Sequence, residues 1–170
     1  MSEQTANEAA PVSFGERLAN SQVFTDLFRD GMALVEETAS YLDGPGRKDS
    51  KGLERAAALA YATESMRLTT RLMQLASWLL LHRAVKEGEM TLSQANREKT
   101  KVKLSAADPG AADALAKLPQ QLQHLIARSM ALQSKVRRLD TTIHAPSTER
   151  APIGNPLVPQ LNRLKAAFER

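Results

Sequence analysis

Apolar residues recur at helical spacing along most of this chain. From about Phe14 to Leu42, the positions Phe24, Leu27, Phe28, Gly31, Leu34, Val35, Thr38 and Leu42 follow a three-then-four alternation. That spacing puts them on one helical face and predicts a first long helix. Asp43-Gly-Pro-Gly-Arg47 ends it: Gly44 suits a left-handed cap position, and Pro45 has no N–H to continue the ladder. Asp49 or Ser50 is expected to cap the next helix.

The second predicted helix spans about Lys51 to Glu87 and carries two apolar stripes. Ala57, Tyr61, Leu68, Leu72, Leu75 and Leu79 form one; Leu59, Met66, Met73 and Leu80, seven residues apart, form the other. A single stripe suits a helix lying on a core. Two stripes suit a helix sandwiched between neighbours, in its own chain or in a second copy. Leu68, Leu75, Met66 and Met73 are therefore all expected to be buried in an assembled dimer. Arg67, Arg71 and Gln74, with Trp78 in line, read as a polar strip between the two faces. Gly88 ends the helix.

Beyond it, Thr91 and Gln94 have the spacing of a capping box for a short helix, Leu92 to about Lys99. Asp108-Pro109-Gly110 reads as a turn, and Ala111 to Leu118 as a helical turn or two. Pro119 fits the first position of a third long helix, because its missing N–H would have had no partner there. Leu122, Leu125, Ser129, Leu132, Val136, Leu139 and Ile143 then keep a strict heptad alternation, broadened by Ile126 and Met130. The pattern predicts an all-α chain, a three-helix up-down-up bundle over residues 14–144. Residues 1–13 are expected to be disordered. Residues 145–170 read as a flexible tail, where Pro, Ser, Thr and Gly precede a short amphipathic motif, Leu157, Leu161, Leu164 and Phe168. A tethered motif of that kind can capture a partner or fold back on its own bundle.

Composition narrows the chemistry. Aromatic residues are only 4% against 42% apolar overall, which suits a core of Leu, Ala and Met in helices. The absence of cysteine removes disulfides, thiolate catalysis and thiolate-held metals. Residues 1–12 lack the apolar stretch of a secretory signal, and no uninterrupted apolar piece, Trp78 to Leu81 included, comes near the length needed to span a membrane. The expected location is the cytoplasm, with the cell pole as a further candidate station. The net charge of +4 is unevenly spread: residues 1–50 carry nine acids and four bases, residues 101–170 five acids and eleven bases. That asymmetry can orient helices against one another or dock an acidic protein.

No residue set points to a cofactor. His82, His124 and His144 are far apart in sequence, none is read as having a partner at the i+4 spacing that puts two ligands on one helical face, and no metal site is expected. No phosphate-binding glycine loop or nucleophile elbow is present. Glu64, Arg67 and Arg71 are the one set that could serve an enzyme, as a lyase or mutase pocket in which charge alone stabilises a transition state. The plainer reading is an exposed ion-pair ladder along the helix, and it is preferred. Arg128, Lys135, Arg137 and Arg138 form a small basic face, but nucleic acid is disfavoured as a partner because stacking aromatics and a recognition helix after a tight turn are missing.

Three stretches carry a resemblance. Gly31-Met-Ala-Leu-Val-Glu-Glu-Thr-Ala39, Tyr41-Leu-Asp-Gly-Pro-Gly-Arg47, and Ala57-Ala-Leu-Ala-Tyr-Ala62 with Glu64-Ser-Met-Arg-Leu-Thr-Thr-Arg-Leu-Met-Gln-Leu-Ala-Ser-Trp-Leu-Leu80 resemble the regulator of CtrA degradation family of alphaproteobacteria. The likeness is close over about residues 30–83 and looser through the third long helix. It implies a homodimeric three-helix bundle that acts as a non-enzymatic adaptor in regulated proteolysis. The implied partners are the ClpXP protease, a response-regulator protein, a cyclic-di-GMP-binding protein and cell-cycle substrates such as CtrA. It also implies a functional role for the tail after His144. The residues expected to meet partners are Leu157, Leu161, Leu164 and Phe168 of the tail, with Arg67, Arg71 and Trp78 of the second long helix.

Overall fold

The computed structural model describes residues 17–18, 21–99 and 111–145. Among them every regular element is a helix and there is no strand. Three helices are long: α1 (Gln22–Asp43), α3 (Arg55–Lys86) and α6 (Gln120–Ile143). Three are short: α2 (Pro45–Lys51), α4 (Leu92–Lys99) and α5 (Ala112–Ala116). The expected disorder of residues 1–13, the turn at 108–110 and the motif at 157–168 lie outside the described residues.

Each long helix packs on the other two. The common core takes Phe24, Leu27, Leu34 and Tyr41 from α1, Leu68, Leu72, Leu75, Trp78 and Leu79 from α3, and Leu122, Leu125, Ile126, Leu132, Val136, Leu139 and Ile143 from α6. The heptad seam read from residues 122 to 143 is thus buried at every position, Ser129 included. Gly31 is in the face because a side chain would not fit: a Cβ there would stand 2.5 Å from Leu79 Cδ1. The buried face of α1 ends on Tyr41, which was not expected in it, while Phe28, Val35 and Leu42 are only partly buried.

Helix ends depart from the sequence reading for local reasons. The first long helix begins at Gln22, not near Phe14, because Ser21 caps it: the Phe24 N–H donates to Ser21 Oγ at 3.4 Å, and that hydroxyl donates to the Leu18 carbonyl at 2.6 Å. Gly44 is not left-handed; its φ is −117°. Pro45 does not merely stop a helix but opens α2, where its missing N–H costs nothing. Asp49 and Ser50 therefore lie inside α2 and do not cap α3, which starts at Arg55 after Glu54. Asp49 instead accepts a hydrogen bond from the Tyr41 hydroxyl at 3.0 Å. Burial, with the Asp49 carboxylate beside it, raises the Tyr41 pKa and keeps the phenol protonated. Gly46 lets this corner close, since a Cβ there would meet the Tyr41 carbonyl oxygen at 2.7 Å.

The remaining punctuation follows the sequence. Gly88 adopts φ +76° just past α3, the left-handed region that glycine tolerates. The Thr91 N–H donates to Gln94 Oε1 at 2.8 Å and the Gln94 N–H to Thr91 Oγ1 at 3.1 Å, a reciprocal capping box opening α4. Pro119 stands one position earlier than expected, as the residue before α6.

Candidate functional site

The interior between α3 and α6 is not wholly apolar. Glu64, Leu68, Arg71, Leu75, Trp78 and His82 alternate four and three residues apart, and all six are buried. They form the α3 side of the seam. The polar strip expected on the surface is therefore folded inward at Arg71 and Trp78, and Glu64 goes with them. Trp78 is fully buried and cannot meet a partner directly, and Arg71 is nearly so. Wheel position explains the error: residues 64, 71 and 78 project beside Leu68 and Leu75, and their polar ends find partners inside.

Two polar clusters result. At the first, Arg71 Nη1 donates to Ser129 Oγ at 2.8 Å, and that hydroxyl donates to the Ile126 carbonyl at 2.7 Å. Arg67 pairs with Glu64 at 2.9 Å, its side chain 41% exposed against 5% for the carboxylate. Burial pushes the Arg71 guanidinium down from its usual range, opposed by the Glu64 carboxylate. This is not the expected exposed ladder, because Glu64 and Arg71 are interior. Nor do the two guanidinium groups converge on a common pocket: Arg67 reaches outward and Arg71 crosses to α6.

The second cluster lies about two and three turns beyond Arg71 along α3. Trp78 Nε1 donates to Asp140 Oδ1 at 2.8 Å, and Lys99 Nζ donates to both Asp140 oxygens at 2.9 and 2.8 Å. The His82 ring stacks on Trp78 with centroids 4.0 Å apart, and its Nδ1 donates to the Trp78 carbonyl at 2.9 Å. Its Nε2 faces His144 Nε2 at 3.1 Å. His144 Nε2 in turn lies 3.6 Å from Asp140 Oδ1. Burial lowers the pKa of His82 to about 4 and also lowers that of His144, so both rings are neutral near neutral pH.

The sequence reading missed this cluster by overlooking Asp140 as the i,i+4 partner of His144. Asp140 and His144 stand at i,i+4 on one helix, a signal that was present, while His82 arrives from a different helix sixty-two residues away. His124 is exposed on α6 and takes no part.

The outer surface shows a different pattern. Leu59, Met66, Met73 and Leu80 are 70%, 72%, 66% and 53% exposed, a continuous apolar stripe along α3. Beside it, Val35, Ala39, Leu42, Leu72, Met73 and Ala76 line an apolar groove of about 290 Å³ between α1 and α3. On the opposite flank the basic face of α6 is offset by acids of α1. Arg128 pairs with Glu37, and Lys135 and Arg138 share a groove with Asp26 and Asp30. Among the described residues, no helix is long and apolar enough to cross a membrane.

Comparison with known proteins adds a lineage to this geometry. The model of a family described as a protein of unknown function, DUF1465, matches residues 15–168. Among solved structures the chain is similar to RcdA from Caulobacter crescentus CB15, at 51% identity and a TM-score of 0.63, over 75% of this chain and 96% of that one. No curated protein matches the chain.

Proposed function

The chain belongs to the DUF1465 family, and on that premise we propose that it regulates CtrA degradation as a non-enzymatic adaptor. In this reading it is a homodimeric three-helix up-down-up bundle in the cytoplasm. It holds the ClpXP protease, a response-regulator protein, a cyclic-di-GMP-binding protein and a cell-cycle substrate together through its surfaces. The likeness to RcdA over nearly all of that chain carries the proposal. The outer stripe of α3 gives it a physical basis. Four large apolar side chains aligned on one exposed helix face form a patch that monomeric proteins rarely leave bare. The adjacent groove extends that apolar surface across α1. The interior arginine supports the non-enzymatic side of the reading, since Arg71 is committed to Ser129 and holds two helices together.

A reconstituted degradation assay tests the proposal. With ClpXP, the response regulator and the cyclic-di-GMP-binding protein present, adding this chain should accelerate the loss of CtrA. A rate unchanged across a concentration series of the chain defeats the adaptor reading.

A further inference from the structure

We propose that His82, Asp140 and His144 form a binding site for a divalent metal ion of the zinc class, fastening the last turn of α6 to α3. Their ligand atoms all lie within 4.8 Å of one another. Two donors on a tetrahedral zinc ion, each about 2.0–2.1 Å from the metal, stand about 3.4 Å apart. The separation of the two Nε2 atoms, 3.1 Å, and that of His144 Nε2 from Asp140 Oδ1, 3.6 Å, bracket this spacing. The Asp140 carboxylate, within 4.8 Å of His82 Nε2, would have to turn toward the ion and loosen its bonds to Trp78 and Lys99.

The surroundings orient the donors as a metal requires. A carbonyl can only accept, so the hydrogen of His82 is on Nδ1, bonded to the Trp78 oxygen, and its Nε2 carries a bare lone pair aimed at the cluster. Anchoring of the far ring nitrogen by a backbone carbonyl is what fixes ligand histidines at metal centres. Stacking on Trp78 holds the same ring in plane. His144 then supplies the hydrogen shared between the two facing Nε2 atoms. An incoming cation takes the place of that proton, and His144 stays neutral by shifting to the tautomer that carries its hydrogen on Nδ1. Two imidazoles and one carboxylate, with a fourth position left for water, suit zinc rather than calcium or magnesium. His144 and Asp140 are partly exposed, so an ion has a path from solvent, whereas His82 is sealed.

Lys99 is the competitor. Its ammonium already neutralises Asp140, and it must withdraw to Oδ2 or leave as the ion arrives. Metal binding is therefore coupled to α4, whose last residue is Lys99. The site also sits at the residue from which the chain continues into 145–170, so an ion would fix the point where the tail departs.

The test uses the full-length chain, stripped with chelator and titrated with zinc chloride by calorimetry, with cobalt(II) absorption as a spectroscopic check. Wild type should take up one ion per chain, and cobalt should give the intense visible bands of a low-coordinate site. His144→Ala lies at a helix end, should keep the helical circular dichroism, and should weaken binding about tenfold or more. His124→Ala should bind as wild type does. Lys99→Gln should tighten binding by removing the competing cation. No uptake by wild type, or undiminished affinity in His144→Ala, overturns the site. Weaker binding by Lys99→Gln removes Asp140 from the ligand set and overturns the three-ligand arrangement.

Discussion

Leu75 and Met73 stand two residues apart on α3, yet the first is 1% exposed and the second 66%. The helix has an inner face pressed on α1 and α6 and an outer face whose large apolar side chains stay exposed among the described residues. The inner face mixes Leu with Glu, Arg, Trp and His, whereas the outer face is a repeat of Leu and Met at sevenfold spacing. Polarity alone would assign these faces the wrong way round. What separates them is partnership. Arg71, Trp78 and His82 can be interior because Ser129, Asp140 and a backbone carbonyl meet them there. The outer stripe has no such partners among the described residues, and in the adaptor reading it is the surface offered to another chain.

Substitutions on the inner face should show the largest effects. Trp78→Ala removes a fully buried ring and strands Asp140 without its indole donor. It should cost about 3–5 kcal/mol in chemical denaturation, at the upper end for a core aromatic. Leu75→Ala leaves only a cavity and should cost about 2–5 kcal/mol. Either variant unfolding with wild-type stability would mean that the seam is not the core.

Ser129→Ala separates packing from polar matching. The substitution removes one oxygen from a position where a small side chain already fits, but leaves the Arg71 guanidinium without its acceptor. A loss of about 1–3 kcal/mol is expected from that unmet donor alone. Restoring most of that loss with Arg71→Met in the same chain would identify the stranded charge, not the lost oxygen, as the cause.

The residues that broke the sequence reading are the same ones that define this comparison. The α6 seam was legible because its alternation is almost wholly apolar, so spacing and hydropathy agree. On α3 the spacing of residues 64 to 82 is equally regular, but hydropathy weighs Glu64, Arg71 and His82 as surface. Only their partners, 58 to 62 residues away for Arg71, Trp78 and His82, reverse that assignment. Caps were legible where two side chains stand at the spacing of a reciprocal box, as at Thr91 and Gln94. They were not legible at residues 43–54, where Pro45 starts a short helix and Tyr41 draws Asp49 away from capping.

The outer face should behave in the opposite sense. Met66→Lys with Met73→Lys places charge on two exposed positions, and each change should alter the stability of the isolated bundle by no more than about 0.5 kcal/mol. If the stripe joins two copies, the same double variant should shift sedimentation from dimer to monomer, because an ammonium buried in such an interface has no partner. A variant that remains dimeric moves the interface elsewhere and leaves the stripe for a different partner.

Deleting residues 145–170 should change stability least of all. Among the described residues the core extends to Ile143, and the His82–His144 pairing just beyond it is retained by the deletion. Residues 146–156 are dominated by Pro, Ser, Thr and small residues, with Ile153 the one large apolar side chain. Leu157, Leu161, Leu164 and Phe168 share one face if that segment is helical, and they are large enough to anchor a partner. The truncated chain is therefore expected to melt within a degree or two of the full-length protein and to lose substrate delivery in the ClpXP assay. A fall in melting temperature comparable to that of Leu75→Ala would instead make the segment a part of the core. Delivery at the full rate would remove the tail from the adaptor surface and leave that role to the outer stripe of α3.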